Sequence, residues 1–298
     1  MKEINVNGCE IIGRGGQGTI YRLDEETIVK LYNPGYSLEE IEKERDASKA
    51  ALKLGIPTAI SFGNVKSGDS YGIVFELMNS GTLSHAMNTY PDKLSVYVKM
   101  YYDLFNELHL IHDTEGIYPK LKDSLHEQAD RLGRFNVTDE EINILHELID
   151  SIKDSDTIIH GDFHPGNLML HNDELLLIDV PDLKSGTAQF DLYTVFRDLI
   201  TAPQNYPQQC EISQGMPAEV CSKVGQMFFA MYYQSQDPEY ISQKLRTLGL
   251  VYSFYLTLFL GSKELHYQAE QVAPKIIESA FRGAVLPNEQ VLKQLLAQ

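Results

Sequence analysis

The sequence has little cysteine and no apolar run of membrane-spanning length, and each shortage excludes a class of protein. Its three cysteines, Cys9, Cys210 and Cys221, are too few and too scattered for a disulfide framework, so we expect a reducing, cytoplasmic location. The longest apolar run, residues 248–261, is shorter than the roughly 20 residues that span a bilayer and predicts a buried helix. Residues 1–10 contain no apolar segment, so we expect no signal peptide.

Basic residues are also scarce. The chain has 25 of them against 42 acidic residues, a net charge of -17, which argues against nucleic acid or an anionic membrane surface as a partner. Residues 103–156 are especially acidic, with 14 acidic and 5 basic residues. An acidic cleft would attract a polycation such as an aminoglycoside. Acidic helix surfaces more often serve solubility, and the sequence leaves both interpretations open.

The chain lacks the GxxxxGK[ST] pattern of a Walker-type phosphate loop but contains another glycine motif. Residues 11–21 read IIGRGGQGTIY and place Gly13, Gly15 and Gly18 at GxGxxG spacing. Dinucleotide-binding folds share this spacing, but there the glycines open a helix. Here residues 19–23 and 26–32 are rich in β-branched and aromatic residues and predict two strands. A strand, glycine loop and strand in this order are typical of a kinase nucleotide loop.

One lysine follows this loop inside a predicted strand. Lys30 lies between apolar neighbours and points to the opposite strand face, as a solvated surface lysine also would. Residues 38–55 predict a helix rich in glutamate that can supply a carboxylate partner. We expect the partner to be Glu44, because an apolar stripe follows it, and Glu42 is the alternative.

The most informative segment is HGDFHPGNL, residues 160–168, followed by LLLIDV, residues 175–180. It offers Asp162, then Asn167 five residues later, then Asp179 at the end of an apolar strand. Kinase-type phosphoryl transfer uses one carboxylate for the acceptor hydroxyl, and an amide and a second carboxylate for Mg²⁺ on ATP. Taken alone, the same residues are also common in turns.

Two histidines in this segment, His160 and His164, raise the question of a transition-metal site. No cysteine or further histidine lies nearby at ligand spacing, so we do not expect such a site. Further along, residues 201–217 are rich in Pro and Gln and predict a loop.

These motifs, in this order, resemble the aminoglycoside phosphotransferase and choline kinase-like family. HGD in place of HRD, the HPGN that follows, and residues 105–112, FNELHLIH, all resemble that family. The resemblance implies an α+β, bilobal protein-kinase-like fold. Its N-terminal lobe, residues 1–78, would hold a small antiparallel sheet and one helix, and its C-terminal lobe, residues 79–298, would be larger and mainly helical.

The resemblance also implies roles for particular residues. Asp162 would be the catalytic base, with Lys30 and Glu44 completing the catalytic set. Asn167 and Asp179 would be the Mg²⁺ ligands. ATP would be held by Lys30, by the loop of Gly13, Gly15 and Gly18, and by the backbone from Glu76 to Met78, the hinge within the apolar segment of residues 71–81. Asp191 would brace the catalytic loop by accepting backbone hydrogen bonds.

The implied activity is transfer of phosphate from ATP to a hydroxyl of a small molecule. The chain departs from the protein-kinase pattern, because Val180 and Pro181 follow Asp179 where DFG would stand, and only a short loop leads to Asp191. A protein kinase is therefore the weaker alternative. A non-catalytic, ATP-binding regulator of the same fold is another, and it would bind ATP without turnover.

Overall fold

A computed structural model describes residues 1–14, 17–78, 81–263, 265 and 267–298. The chain divides into two compact units, the first formed by residues 1–104 and 165–182, the second by residues 105–164 and 183–298. The first unit thus continues past residue 78 and takes up a later segment. The lobe boundary predicted at residue 78 remains a prediction.

The described residues form ten strands and twelve α-helices. The strands are β1 (Lys2–Glu3), β2 (Ile11–Arg14), β3 (Gly18–Arg22), β4 (Thr27–Tyr32), β5 (Ser61–Ser67), β6 (Ser70–Glu76), β7 (Ile158–Ile159), β8 (Leu168–His171), β9 (Glu174–Leu177) and β10 (Lys184–Ser185). The helices are α1 (Leu38–Lys53), α2 (Leu83–Thr89), α3 (Leu94–Leu108), α4 (Leu121–Asp130), α5 (Asp139–Ser151), α6 (Gln189–Phe196), α7 (Ala202–Asn205), α8 (Pro207–Gln214), α9 (Ala218–Tyr232), α10 (Pro238–Phe259), α11 (Tyr267–Ile276) and α12 (Glu289–Leu296).

The first unit is built on a six-stranded sheet in the order β1-β5-β6-β4-β3-β2. All neighbouring pairs are antiparallel except β1 with β5. The predicted α+β class is confirmed, but the sheet is mixed rather than wholly antiparallel. The difference arises at the edge, where residues 2–3 pair in parallel with Val65 and Lys66.

Alternation along β4 directs Lys30 toward α1. Val29 and Leu31 are buried on one face of the sheet against Val65. Tyr32 is buried on the other face with Ile41 of α1. Because side chains two residues apart share a face of a strand, Lys30 lies on the α1 side.

Helix α1 has strong start and stop signals. The Ser37 hydroxyl accepts from the N–H of Glu40, and the Glu40 carboxylate accepts from the N–H of Ser37, which forms a capping box. The helix ends before Gly55, whose φ of +80° is readily adopted only without a Cβ atom. The predicted helix over residues 38–55 is therefore confirmed to within two residues at its C-terminus.

The second unit is mainly helical and contains the short pair β7–β10. Its core includes the large apolar side chains Phe163, Phe228, Phe229 and Phe254, all fully buried. Residues 248–259 of the apolar run lie in α10, and six of them are buried, which confirms the predicted helix. Among the described residues, no helix is long and apolar enough to cross a membrane.

The loop predicted over residues 201–217 is wrong. This region contains α7 and α8, joined to α6 by a π-helical turn at residues 197–201. Pro203 and Pro207 lie in the first turns of α7 and α8, where proline removes no intrahelical hydrogen bond. The prolines therefore start helices here instead of breaking them, and Cys210 is buried.

Candidate active site

A cavity of about 670 Å³ lies in the first unit, a size typical of cofactor sites. Four polar residues with predicted roles line it: Lys30, Glu44, Asn167 and Asp179. Most of the remaining wall is apolar and comes from the sheet, from the segment after β6 and from β8–β9. Its members include Ile12, Ile20, Ile28, Ala59, Phe75, Leu77, Met78, Met169, Leu177, Ile178, Val180 and Pro181.

Lys30 and Glu44 form an ion pair in this cavity. The distance from Lys30 Nζ to Glu44 Oε1 is 2.8 Å, and the two side chains are only 19% and 13% exposed. Lys30 also donates to Gln17 Oε1 at 3.1 Å and lies 4.9 Å from the ring centre of Tyr32. Burial raises the pKa of the Tyr32 hydroxyl well above its usual value, and the charge of Glu44 raises it further. Glu42, the alternative partner, is exposed.

The glycine motif connects β2 to β3. Gly13 ends up opposite Ile20 in the antiparallel pair, and Gly15 lies outside the described residues. Gly18 packs against β4 so closely that a Cβ atom would lie 2.1 Å from the carbonyl oxygen of Leu31. The close packing of β3 against β4 is therefore enough to explain why residue 18 is a glycine, without a bound ligand.

The segment after β6 is only partly available to a ligand. The N–H of Glu76 donates to Ile60 O, and the Glu76 carboxylate accepts from the N–H of Ile60. The N–H of Leu77 donates to Glu26 O at 2.7 Å. Glu76 is thus engaged within the sheet, whereas Met78 lines the cavity.

A tight hairpin brings Asn167 and Asp179 to one end of β8–β9. Leu168 pairs with Leu177, so the residues just outside this pair lie at the open end of the hairpin. The N–H of Ile178 donates to Asn167 O at 3.0 Å and extends the ladder by one bond. Asp179 has a φ of +65°, which turns the chain sharply as it leaves the strand.

The turn of this hairpin explains its register. Asn172 and Asp173, between β8 and β9, both have positive φ angles, of 50° and 63°. A two-residue turn with both φ angles positive matches the twist of the flanking strands, and Asn and Asp tolerate it better than most residues. The turn therefore sets which residues meet at the other end.

Asp162 belongs to the second unit, where a cation and an imidazole hold its carboxylate. Arg197 Nη2 lies 2.5 Å from Asp162 Oδ1, and His164 Nε2 lies 3.3 Å from Oδ2. Burial alone would raise the pKa of the Asp162 carboxyl, but the His164 hydrogen bond and the Arg197 charge outweigh it. The pKa is therefore held well below its usual value, and Asp162 stays ionised at neutral pH.

Arg197 is shared between two carboxylates. It donates from Nε and Nη2 to Asp198 at 2.8 and 2.7 Å, a bidentate pair, in addition to its bond to Asp162. Burial alone would lower the pKa of Arg197, but Asp198 and Asp162 raise it well above its usual value. The π-helical turn after α6 begins at Arg197 and carries both members of the bidentate pair.

His164, one of the two histidines of the HGDFHPGNL segment, belongs to a cluster with two carboxylates. Asp162, His164 and Asp198 offer ligand atoms within 4.8 Å of one another, so the described residues contain one group of suitable composition. Arg197 already donates to both carboxylates. Because its guanidinium supplies the positive charge between them, we describe the group as an ion-pair network.

Asp191 braces the segment that carries Asp162. Its fully buried carboxylate accepts from the N–H groups of His160 and Gly161 at 2.8 and 2.7 Å, and contacts His109 Nε2 at 2.9 Å. Thr194, one turn further along α6, accepts from the N–H of Phe163 at 3.1 Å. The predicted structural role of Asp191 is confirmed.

Arg197 and Asp198 are the site residues that sequence reasoning missed. The signal was present, because they are an adjacent pair of opposite charges in QFDLYTVFRDLI, a strongly apolar segment. Charged residues are seldom buried unless paired, so such a pair indicates a polar partner elsewhere in the fold. The sequence does not identify that partner as Asp162.

Comparison with solved structures shows the fold. The chain is 17% identical to aminoglycoside phosphotransferase APH(2'')-Ib in its ADP-bound form, covering 93% of this chain and 95% of that one, with a TM-score of 0.57. It is 15% identical to APH(2'')-IIa in a streptomycin–ATP ternary complex, covering 93% and 94%, with a TM-score of 0.55. A choline/ethanolamine kinase family protein from Mesorhizobium loti is 9% identical, covering 97% and 92%, also with a TM-score of 0.55.

Sequence comparison gives the family. No curated protein matches the chain. Residues 9–209, about two thirds of the chain, match the APH family, described as the phosphotransferase enzyme family. The matched range includes every residue to which the sequence assigned a role. The chain therefore belongs to the APH phosphotransferase enzyme family.

Proposed function

We propose that this protein is an ATP- and Mg²⁺-dependent enzyme that phosphorylates a hydroxyl group of a small molecule. The observation that supports this most is the cavity of the first unit. There a buried Lys30–Glu44 ion pair and the oxygen-bearing side chains of Asn167 and Asp179 line one largely apolar space. The apolar wall suits the adenine ring of ATP, and the polar and charged side chains suit its phosphates and their metal ion.

The nucleotide is held in that cavity. Phe75, Leu77 and Met78 provide an apolar surface for adenine, with hydrogen bonds from the backbone after β6. Lys30 binds the phosphates, and Glu44 keeps its ammonium group in place through the 2.8 Å contact. The backbone near Gly13 and Gly18 contacts the phosphates, as the glycine loop of a kinase does.

Asn167 and Asp179 fit a magnesium site. Both offer oxygen ligands, which Mg²⁺ prefers, and they flank the open end of the same hairpin. When bound, Mg²⁺ neutralises charge on the phosphate oxygens. The positive φ of Asp179 is the backbone feature that turns this carboxylate out of β9.

Asp162 orients the acceptor hydroxyl and receives its proton. In phosphoryl transfer with a loose transition state, the hydroxyl needs alignment more than a strong base. A carboxylate with a lowered pKa meets this need, because it is ionised throughout the physiological range. Arg197 and His164 fix its orientation.

The acceptor class we favour is a cationic amino alcohol. Similar structures include one with bound streptomycin and a choline/ethanolamine kinase family protein. The acidic excess of residues 103–156 supports a positively charged acceptor.

Three free cysteines, two of them buried, support a reducing cytoplasmic location.

The test is ADP release with Mg²⁺-ATP across aminoglycosides, amino alcohols, sugars and amino acids. We expect release that depends on one acceptor class and is lost in Asp162→Asn. ATP binding with no acceptor-dependent release would favour a non-catalytic nucleotide-binding regulator instead. Release that depends only on a protein acceptor would favour a protein kinase.

A further inference from the structure

Two histidines in the second unit meet nitrogen to nitrogen, away from the residues described above. His126 on α4 and His146 on α5 bring their Nδ1 atoms to 2.6 Å of each other. The ring centres are 4.9 Å apart and the ring planes differ by 23°. With the nitrogens so much closer than the ring centres, the rings meet edge to edge through Nδ1 and are not stacked face to face.

The other nitrogen of each ring faces a carboxylate. His146 Nε2 lies 3.0 Å from Asp130 Oδ1, and His126 Nε2 lies 3.2 Å from Asp150 Oδ1. An ionised carboxylate only accepts hydrogen bonds, so each Nε2 must carry the hydrogen. In neutral imidazoles that hydrogen is the only one, which leaves both Nδ1 lone pairs pointing at each other. A bond between the two nitrogens therefore needs an added proton or an added metal ion.

Transition-metal sites often have this arrangement, in which two histidines face the ion and a carboxylate lies behind each histidine. A metal-binding histidine usually donates its second ring N–H to a carboxylate, which fixes the tautomer and strengthens the ligand. A divalent ion would also balance the charges of Asp130 and Asp150. The nearest lysine on α4, Lys122, is paired with Asp154 at 2.6 Å.

We propose that His126 and His146 bind a divalent transition-metal ion such as Zn²⁺ through their Nδ1 atoms, linking α4 to α5. Imidazole nitrogen suits Zn²⁺, Ni²⁺ and Cu²⁺, and water completes the coordination. Two Zn–N bonds of about 2.1 Å at a tetrahedral angle separate the nitrogens by about 3.4 Å, so the rings must move apart from the 2.6 Å contact to admit the ion. The His126 and His146 side chains are 31% and 28% exposed, so an ion can enter from solvent.

Zn²⁺ titration of the full, tag-free, chelator-treated chain by calorimetry tests the proposal. We expect one Zn²⁺ site that weakens at least about tenfold in His126→Gln and in His146→Gln. Asp130→Asn and Asp150→Asn should weaken it by about tenfold, as loss of the carboxylate behind a ligand does. X-ray absorption at the zinc edge should show two imidazole ligands.

The matched control is His112→Gln. His112 Nδ1 contacts the Asp156 carboxylate at 2.6 Å, so this change removes a histidine–carboxylate pair from the same unit without touching the proposed site. It should leave Zn²⁺ affinity unchanged. The proposal is overturned if wild type binds no Zn²⁺ tighter than about 0.1 mM. In that case the two histidines share only a proton. It is also overturned if the His126→Gln, His146→Gln double variant binds as wild type does, which would place the ion at Asp162, His164 and Asp198.

Discussion

The first and second units each contain an ion-pair arrangement, and the two hold their charges in different ways. In the first unit, one cation meets one anion, Lys30 with Glu44, and both side chains are largely buried. In the second unit, one cation serves two anions. Arg197 gives a bidentate pair to buried Asp198 and a single bond to Asp162, whose side chain is 42% exposed.

This difference indicates what each pair does. Glu44 keeps an ammonium group in the cavity, where it can meet phosphate. Asp198 anchors a guanidinium that keeps Asp162 ionised while leaving that carboxylate accessible. We propose that the first pair positions a cation for the nucleotide and that the second positions an anion for the acceptor. Substitutions in each pair separate these two roles.

The largest effect should come from Asp162→Asn. The amide keeps the shape but cannot receive a proton, so we expect the transfer rate to fall by about 10²–10⁴-fold. Nucleotide affinity should stay nearly unchanged, because the groups that line the nucleotide cavity are intact. ADP release and ATP titration measure the two quantities, and full activity in the variant would remove Asp162 from this role.

Arg197→Met should reduce both stability and acid tolerance. The buried carboxylate of Asp198 would lose its partner, at a cost of about 3 kcal/mol in the free energy of unfolding. The pKa of Asp162 should rise, since the Arg197 charge helps to lower it. Because the pKa of Asp162 is low in the folded state, its ionisation stabilises the fold above about pH 4. This stabilisation is lost as the pH falls toward the folded-state pKa.

The acid limb of ADP release should therefore move to higher pH in Arg197→Met. Arg197→Lys is the matched control, because it keeps the charge and loses only the bidentate geometry. We expect an intermediate acid limb for it. Identical pH profiles for wild type and Arg197→Met would show that Arg197 does not act on Asp162.

Lys30→Met should affect nucleotide binding. Loss of a charged contact to phosphate should weaken ATP affinity by about 10–100-fold, as measured by titration. Lys43→Met is the control on α1, since Lys43 is 74% exposed and its pairing with Glu39 is a surface contact. Equal ATP affinity in the two variants would contradict the proposed role of Lys30.

Gly18→Ala should have the smallest effect and act on stability. The added Cβ would lie 2.1 Å from Leu31 O, so β3 and β4 must shift, at a cost of about 1–3 kcal/mol in unfolding free energy. Gly133→Ala is the control, because no atom lies within 4 Å of its added Cβ. Chemical denaturation measures both, and equal values would show that β3 and β4 adapt easily.

The first unit was largely predictable from the sequence because its signals are local. A short stretch of sequence is enough to indicate each of three features: the two strands around the glycine motif, the capped helix, and the residues that flank the tight hairpin. The helical pattern alone favours Glu44 over Glu42, and in the structure Glu44 contacts Lys30. The parallel pairing of β1 with β5 could not be predicted, because a two-residue strand is too short to show an alternating apolar pattern.

The surroundings of Asp162 were not predictable, because they depend on contacts between distant segments. Arg197 is 35 residues from Asp162 in the chain, and the sequence does not state which carboxylate it meets. The wrong loop at residues 201–217 has a related cause. A composition rich in Pro and Gln is typical of a loop, but the same composition also suits short helices when each proline falls in a first turn.

The most direct test of the central claim is the identity of the product. Mass spectrometry and phosphorus NMR should follow a reaction of wild-type protein, Mg²⁺-ATP and the acceptor that stimulates ADP release. We predict an acceptor heavier by one phosphoryl group, with a new phosphate ester at a hydroxyl, absent in Asp162→Asn. Inorganic phosphate as the only product, with the acceptor unchanged, would contradict the assignment as a small-molecule phosphotransferase.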